Sequence, residues 1–368
     1  MRYLFIIQGE GRGHLTQAMT LERLLRENGH EVVEMLVGKS PSRRLPEFFT
    51  RNVCAPVAQF SSINFLPSHK NRKPSMVKSV LYNAFAFFRY FPSMRFLNRK
   101  IRTSGADVVV NFYEMLVGMT YMVHRIKVPQ VSIGHQYLFF HKDFGIPFGH
   151  YPGHESLNLF SRISSYGAVK RLALSFRPMP DDLSGRIRVV PPLLRREVLG
   201  LRNDDGSDGP GMSRGDYILG YMLNAGFSED VLAWHRGHPH TELRFFWDNW
   251  AEGKVKKIDD KLSFHLIDDK EFLKQMAGCR AYASTAGFES ICEAMYLGKP
   301  VLMVPSHIEQ EINAFDAKRS NAGVSAGRFD MDALLEFAET FSPDNHFVDW
   351  VRSAPEVFLE ELTENLMF

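Results

Sequence analysis

The densest run of side chains able to do chemistry lies at residues 284–314 of this 368-residue chain. Thr285, Ala286 and Gly287 form a small-residue turn that opens a helix, and Glu293 follows on that helix. A Gly298-Lys299-Pro300 break leads into an apolar strand, Val301 to Val304, and then come Glu309-Gln310 and Asn313-Ala314. Amide hydrogens at a helix start attract a diphosphate. A carboxylate offers two oxygens to two vicinal ribose hydroxyls. A Glu-Gln pair suits the hydroxyls of a sugar. The order therefore fits a nucleotide sugar, with Thr285, Ala286, Gly287 and Phe288 at the phosphates, Glu293 at the ribose and Glu309 and Gln310 at the sugar. A plainly capped helix without a ligand is the competing reading of Thr285.

A second constellation is the loop Gly9-Glu10-Gly11-Arg12-Gly13-His14, which follows an apolar strand. Its glycines let the backbone approach a ligand, and the following helix lends positive potential. A dinucleotide site would need an acid closing the second strand, whereas Glu34 sits inside that strand and Gly38-Lys39 follow it. Glu114 and His135 follow the strands Val108 to Phe112 and Val131 to Ile133, at the carboxyl ends where open α/β sheets bind ligands. Solvated loop residues are the alternative for both. Asn224 to Gly226 make a further candidate phosphate loop. Asp204-Asp205 and Asp268-Asp269 are adjacent pairs outside any DxD or His cluster, so no metal and no cofactor is expected. A helix start with basic side chains, Arg12 among them, would neutralise a departing diphosphate instead.

The elements that must position these groups alternate. Tyr3 to Ile7 reads as a strand, the 9–14 loop as a turn, Thr16 to Asn28 as a helix stopped by Gly29, and Glu31 to Val37 as the strand completing a βαβ unit. Strands follow at Ala106 to Asn111 and Pro129 to Ile133 around a helix from Met115 to Arg125. Residues 200–215 lack a core-forming pattern and read as a linker. Beyond it, strands are expected at Tyr217 to Met222, Arg244 to Trp247, Ser263 to Ile267 and Arg280 to Ala283, with helices at Phe272 to Ala277 and Val348 to Leu366. The expected division is a domain at 1–200, a linker at 201–215 and a domain at 216–368, as the length also suggests.

Composition, 45% hydrophobic and 23% charged, is that of a globular protein. Three scattered cysteines fit a reducing cytoplasm. The start reads as a strand running into glycines and not as a signal peptide, and no apolar stretch approaches the ~20 residues of a membrane span. Residues 1–200 carry 28 Lys and Arg against 13 Asp and Glu, while residues 201–368 carry 16 against 29. Ten basic residues and no acidic one lie between Phe48 and Ala106, interleaved with aromatics in 70–102. That stretch reads as an anionic-membrane patch, as core plus a solvated face, or as a nucleic-acid patch; nucleic acid is not the expected partner.

The segment 260–325 resembles the donor half of GT-B glycosyltransferases, in particular the group containing the GlcNAc transferase that makes lipid II. Gly287 precedes Glu293 by six residues, as the ribose-binding Glu is preceded in those families, and Glu309-Gln310 with Asn313-Ala314 stand where the family has Asp-Gln and Asn-Ala. Leu266-Ile267-Asp268-Asp269 is similar to a stretch whose Ile main chain reads the uracil edge. The resemblance implies an α/β GT-B fold: two Rossmann-like doubly wound domains facing a central cleft, the last helix crossing back to the first domain. It implies an inverting transferase using a UDP-sugar as co-substrate. His14 would be the general base, kept neutral by the helix start, with Glu10, Glu114 and His135 as rivals. Gly11, Arg12 and Gly13 would face the acceptor and the donor phosphates. The acceptor would be a lipid or glycan hydroxyl, and the enzyme cytoplasmic and peripheral to the membrane. A non-hydrolysing UDP-sugar 2-epimerase and a non-catalytic nucleotide-sugar or membrane-surface binding protein are the alternatives. Ser284-Thr285 stand where plant enzymes carry His-Cys, and His135-Gln136 match the lipid II-forming group only loosely.

Overall fold

The computed structural model describes residues 1–39, 45–63, 87–146, 152–203, 209, 215–222, 224–364 and 366. The chain forms two compact units, one holding the described residues up to Arg195 together with the segment from Trp350 onward, the other the described residues of Arg196–Asp349.

The first unit is built on a seven-stranded parallel sheet. Its strands are β1 (Arg2–Gln8), β2 (Glu31–Lys39), β3 (Val57–Ser61), β4 (Val108–Phe112), β5 (Gln130–Ile133), β6 (Ala168–Leu174) and β7 (Ile187–Val190), in the order β3-β2-β1-β4-β5-β6-β7. Strands β1 and β4 are apolar at nearly every position because a parallel sheet is covered on both faces. The helix Arg12–Glu27 buries Leu15, Ala18, Leu21 and Leu25, a spacing that keeps one face on the sheet. It begins four residues before the expected Thr16, with Gly11 as N-cap, so Arg12, Gly13 and His14 are its first turn and not part of the preceding loop. A glycine N-cap leaves no side-chain signal for the boundary.

The helix Phe91–Thr103 buries Met94, Leu97 and Ile101, and Lys100 Nζ donates to Glu34 Oε1 at 2.6 Å. Part of the basic-aromatic stretch therefore supplies core, while Arg95, Arg99 and Arg102 are exposed. Residues 70–86 of that stretch lie outside the described residues, as does most of 200–215.

The second unit has strands β8 (Tyr217–Tyr221), β9 (Glu242–Trp247), β10 (Val255–Lys257), β11 (Leu262–Leu266), β12 (Ala281–Ser284), β13 (Val301–Met303) and β14 (Gly323–Ser325), ordered β10-β11-β9-β8-β12-β13-β14. Only the edge strand β10 is antiparallel. Its core gathers Phe227, Phe245, Phe264, Phe329 and Leu334. In both sheets the strand order reverses beside the first strand, between β1 and β4 and between β8 and β12. Open α/β sheets bind ligands at the carboxyl ends of such neighbours.

The expected long C-terminal helix is two, Asn345–Arg352 and Ala354–Thr363, separated at Ser353 ahead of Pro355. The second is fastened within the first unit. Tyr3 Oη donates to Leu362 O at 3.0 Å, and Lys170 Nζ donates to Glu361 Oε2 at 2.8 Å and to the carbonyls of Glu361 and Glu364. Lys170 is buried, so its charge depends on these acceptors. Lys170→Met should lower the unfolding free energy by about 3 kcal/mol, because removing one partner strands the other in a poorly solvated place. Urea unfolding followed by circular dichroism measures it; an unchanged midpoint would show the fastening to be unimportant.

Candidate functional site

Two clusters sit at the two reversal points. In the second unit, β12 ends at Ser284 and the chain turns through Thr285 and Ala286 into the helix Phe288–Tyr296. Ala286 has φ +60°, the left-handed region, which costs an L-residue roughly 1–2 kcal/mol. Two bonds hold it there. Ala286 N donates to Ser284 Oγ at 3.2 Å, and Asn313 Nδ2 donates to Ala286 O at 3.2 Å. Asn313 is buried, and its Oδ1 has no hydrogen-bond partner.

Gly287 is the N-cap of this helix, and no side chain caps it. Its φ of −71° suits any residue. A Cβ there would meet only Ser290 Oγ, at 3.6 Å. Neither backbone nor packing thus requires glycine; what its missing side chain leaves is room at a positively polarised helix start.

Glu293 is buried on the same helix. Thr285 is buried in the turn, and Phe288 is the first helical residue. Glu309 is half-buried in the first turn of the helix Ile308–Arg319. Gln310 is buried, and its Oε1 accepts from Ser306 N at 2.9 Å and Ser306 Oγ at 2.8 Å. That oxygen orders the turn after β13. Asn224 lies beyond β8, and its side chain accepts from Gly226 N at 3.0 Å. Ile267 N donates to Trp247 O at 3.1 Å, so its amide extends the sheet. Asp268 caps the helix Asp269–Gly278 by accepting from Glu271 N at 2.9 Å. Among the described residues no group of three His, Cys, Asp or Glu side chains is placed to hold a metal ion.

His307, which sequence reasoning passed over, is the N-cap of the helix Ile308–Arg319, and burial lowers its pKa to about 4. Its only sequence signal was its place just before Glu309-Gln310.

In the first unit, Gly11 repeats the device: it caps the helix Arg12–Glu27 without a side-chain bond, and a Cβ would meet only His14 Cδ2 at 4.0 Å. Gly13 lies within that first turn, and the Arg12 guanidinium sits over the Phe48 ring at 5.6 Å. His14 Nδ1 lies 3.5 Å from Gln17 Oε1; with the proton on Nδ1, Nε2 is an acceptor. Burial lowers the His14 pKa to about 4, only partly opposed by Gln17. The ring is therefore neutral at pH 7, through burial first of all.

Glu114 caps the helix Met115–Val123, its Oε1 accepting from Leu116 N at 3.1 Å and from Ser62 Oγ at 2.6 Å. Its Oε2 is buried, has no hydrogen-bond partner among the described residues, and lies against Gly38, where any Cβ would collide with it. Burial, aided by the Glu10 charge, pushes the Glu114 carboxyl up to about 7 against the two hydrogen bonds. His135 is buried among Phe139 and Phe176, and its Nδ1 donates to Leu174 O at 2.7 Å. The structure thus brings His14 against Tyr113, the residue before Glu114, whose ring lies near-parallel to the imidazole, 5.7 Å between centroids. It gives His135 an aromatic packing environment.

Each sheet is doubly wound, and at each reversal point a helix starts from a glycine N-cap. The sequence profile described as Glycosyl transferase family 1 matches residues 1–341, and the chain belongs to that family, with the GT-B fold. A search of curated proteins found no match. Among solved structures, the kitacinnamycin glycotransferase superposes with a TM-score of 0.61 at 16% identity, covering 100% of this chain and 99% of that one. Arabidopsis thaliana UGT89C1 complexed with UDP-L-rhamnose gives 0.61 at 14% identity, covering 100% and 99%. LpCGTa in complex with UDP gives 0.59 at 15% identity, covering 99% and 95%.

Because the folded-state pKa of Glu114 lies above its ordinary 4.5, ionisation opposes folding. Its contribution is fully favourable below about 4.5 and is lost as pH rises through about 7. Relative to Glu114→Gln, the wild type should therefore lose roughly 2–3 kcal/mol between pH 4.5 and pH 8. Chemical denaturation of both proteins across that range tests this, and parallel pH profiles would contradict it.

Proposed function

We propose that this glycosyltransferase takes its sugar from a nucleoside diphosphate donor, UDP-linked, and passes it to a hydroxyl of a lipid or glycan acceptor with inversion. The observation that carries the donor reading is Gly287, a glycine demanded by neither φ nor packing at the start of the helix Phe288–Tyr296. The UDP and UDP-L-rhamnose held by two fold neighbours support the nucleotide assignment. In this reading the helix-start amides and Thr285 hold the diphosphate, Glu293 takes the ribose diol, Ile267 meets the uracil, and Glu309 orients the sugar. Gln310 acts mainly by ordering Ser306, and Asn224 closes the far side of the phosphates.

His14 is the proposed base. Its Nε2 accepts the acceptor hydroxyl's proton as the acceptor oxygen attacks the anomeric carbon. The bond from that carbon to the diphosphate breaks, and its electron pair leaves with UDP, whose charge the helix dipole stabilises. No metal or cofactor is assigned a role. Glu114, protonated below about pH 7, is the rival acid–base group, and His135 the less favoured one because its ring is enclosed by aromatics. No observation favours the epimerase reading.

UDP titrated by calorimetry should bind the wild type, with GDP and ADP weaker. Gly287→Val and Glu293→Ala should each weaken UDP at least tenfold, about 1.4 kcal/mol. UDP binding unaffected by Gly287→Val would remove the basis of the donor site. A lipid acceptor further implies that the exposed Arg95 and Arg99 meet an anionic surface. Replacing each by Gln should reduce cosedimentation with phosphatidylserine vesicles by about fivefold, at about 1 kcal/mol per charge; unchanged sedimentation would argue for a glycan acceptor away from the bilayer.

A further inference from the structure

We infer that Tyr113 is the positioning residue of His14: an aromatic face, and not a carboxylate partner, fixes the plane of the imidazole and keeps water from it. This rests on the reading of His14 as the base. The His14 and Tyr113 rings are inclined by only 28° at 5.7 Å between centroids. The side-chain hydrogen bond of His14 is to Gln17, and no charged side chain contributes to its lowered pKa.

Tyr113 occupies that place under constraint. Its φ is +59°, a region that a bulky aromatic residue rarely enters and that Asn or Gly would enter readily. Such strain persists only where the surroundings over-determine it. Here Ser161 Oγ donates to Leu157 O at 2.9 Å, which leaves the Tyr113 hydroxyl to donate to Ser161 Oγ at 2.5 Å. Phe160 and Tyr137 pack on the ring at 5.2 and 5.6 Å. The ring is buried. The left-handed turn is what sends the Tyr113 ring toward His14 while Glu114, the next residue, caps the following helix.

The test uses the full chain labelled with 13C at histidine Cε1, the His14 signal being assigned by its loss in His14→Gln. In the wild type that signal should carry a ring-current displacement and titrate near pH 4. Tyr113→Phe should preserve both. Tyr113→Leu should abolish the displacement and move the titration toward 6.5. In parallel, UDP release from UDP-glucose should fall ~10-fold or more in Tyr113→Leu, as expected for a misplaced base, and recover in Tyr113→Phe. Tyr113→Asn, compatible with positive φ, serves where the Leu variant does not fold. A His14 signal unchanged in position and titration by loss of the ring would overturn the inference. If His14→Gln released UDP at the wild-type rate, the base assignment would fall instead, and the spectra would still decide whether Tyr113 holds the ring.

Discussion

The proposed donor site depends on one backbone conformation, the left-handed Ala286 that turns β12 into the helix Phe288–Tyr296. Without that turn the helix would not present its free end beyond the carboxyl end of the sheet. The conformation costs roughly 1–2 kcal/mol. The bonds from Ala286 N to Ser284 Oγ and from Asn313 Nδ2 to Ala286 O, at about 1 kcal/mol each, offset it. Asn313 in turn belongs to the helix Ile308–Arg319, whose entry is ordered by Gln310 accepting twice from Ser306. Gln310 and Asn313 thus brace the turn that opens the helix Phe288–Tyr296.

The first unit solves the same problem at the same topological place with different residues. Tyr113, just beyond β4, is again a non-glycine residue at positive φ beside the strand-order reversal. There the strain aims an aromatic ring at His14, and the next residue caps a helix with its carboxylate. Gly9 and Gly38 serve this arrangement by close approach: Gly9 N donates to Gly38 O at 2.8 Å, and a side chain at Gly38 would displace Glu114. Gly11 and Gly287 differ in kind, since nothing in the fold asks for them. The distinction separates glycines that build the sheet ends from glycines that leave room above them.

Much of this was legible in the sequence. Apolar runs such as Tyr3 to Ile7 and Val108 to Phe112 announce buried parallel strands, because only a strand covered on both faces is apolar throughout. The spacing of Gly287, Glu293 and Glu309-Gln310 marked the region proposed for the donor. Boundaries without side-chain caps were less visible, which is why Arg12 to His14 read as loop and proved helical. The short edge strands β3, β10 and β14 went unforeseen, since three to five half-exposed residues carry no clear alternation. Positive φ at Tyr113 and Ala286 could not be read at all: neither residue prefers it, and each is held there in part by a group distant in sequence, Ser161 for Tyr113 and Asn313 for Ala286.

Burial drives the two acid–base groups beside Tyr113 in opposite directions on the pH scale and toward the same charge state. His14 falls to about 4 and Glu114 rises to about 7, so between those values both are neutral, one a bare acceptor and the other a bound acid. Desolvation penalises whichever form is charged, which lowers a base and raises an acid. A neutral His14 keeps its imidazole lone pair available, while the Glu10 charge that helps raise Glu114 stays close to the carboxyl. The same burial makes an imidazolium formed during transfer costly. In the proposed reaction the proton leaves the acceptor as the diphosphate departs, so that positive and negative charge develop together.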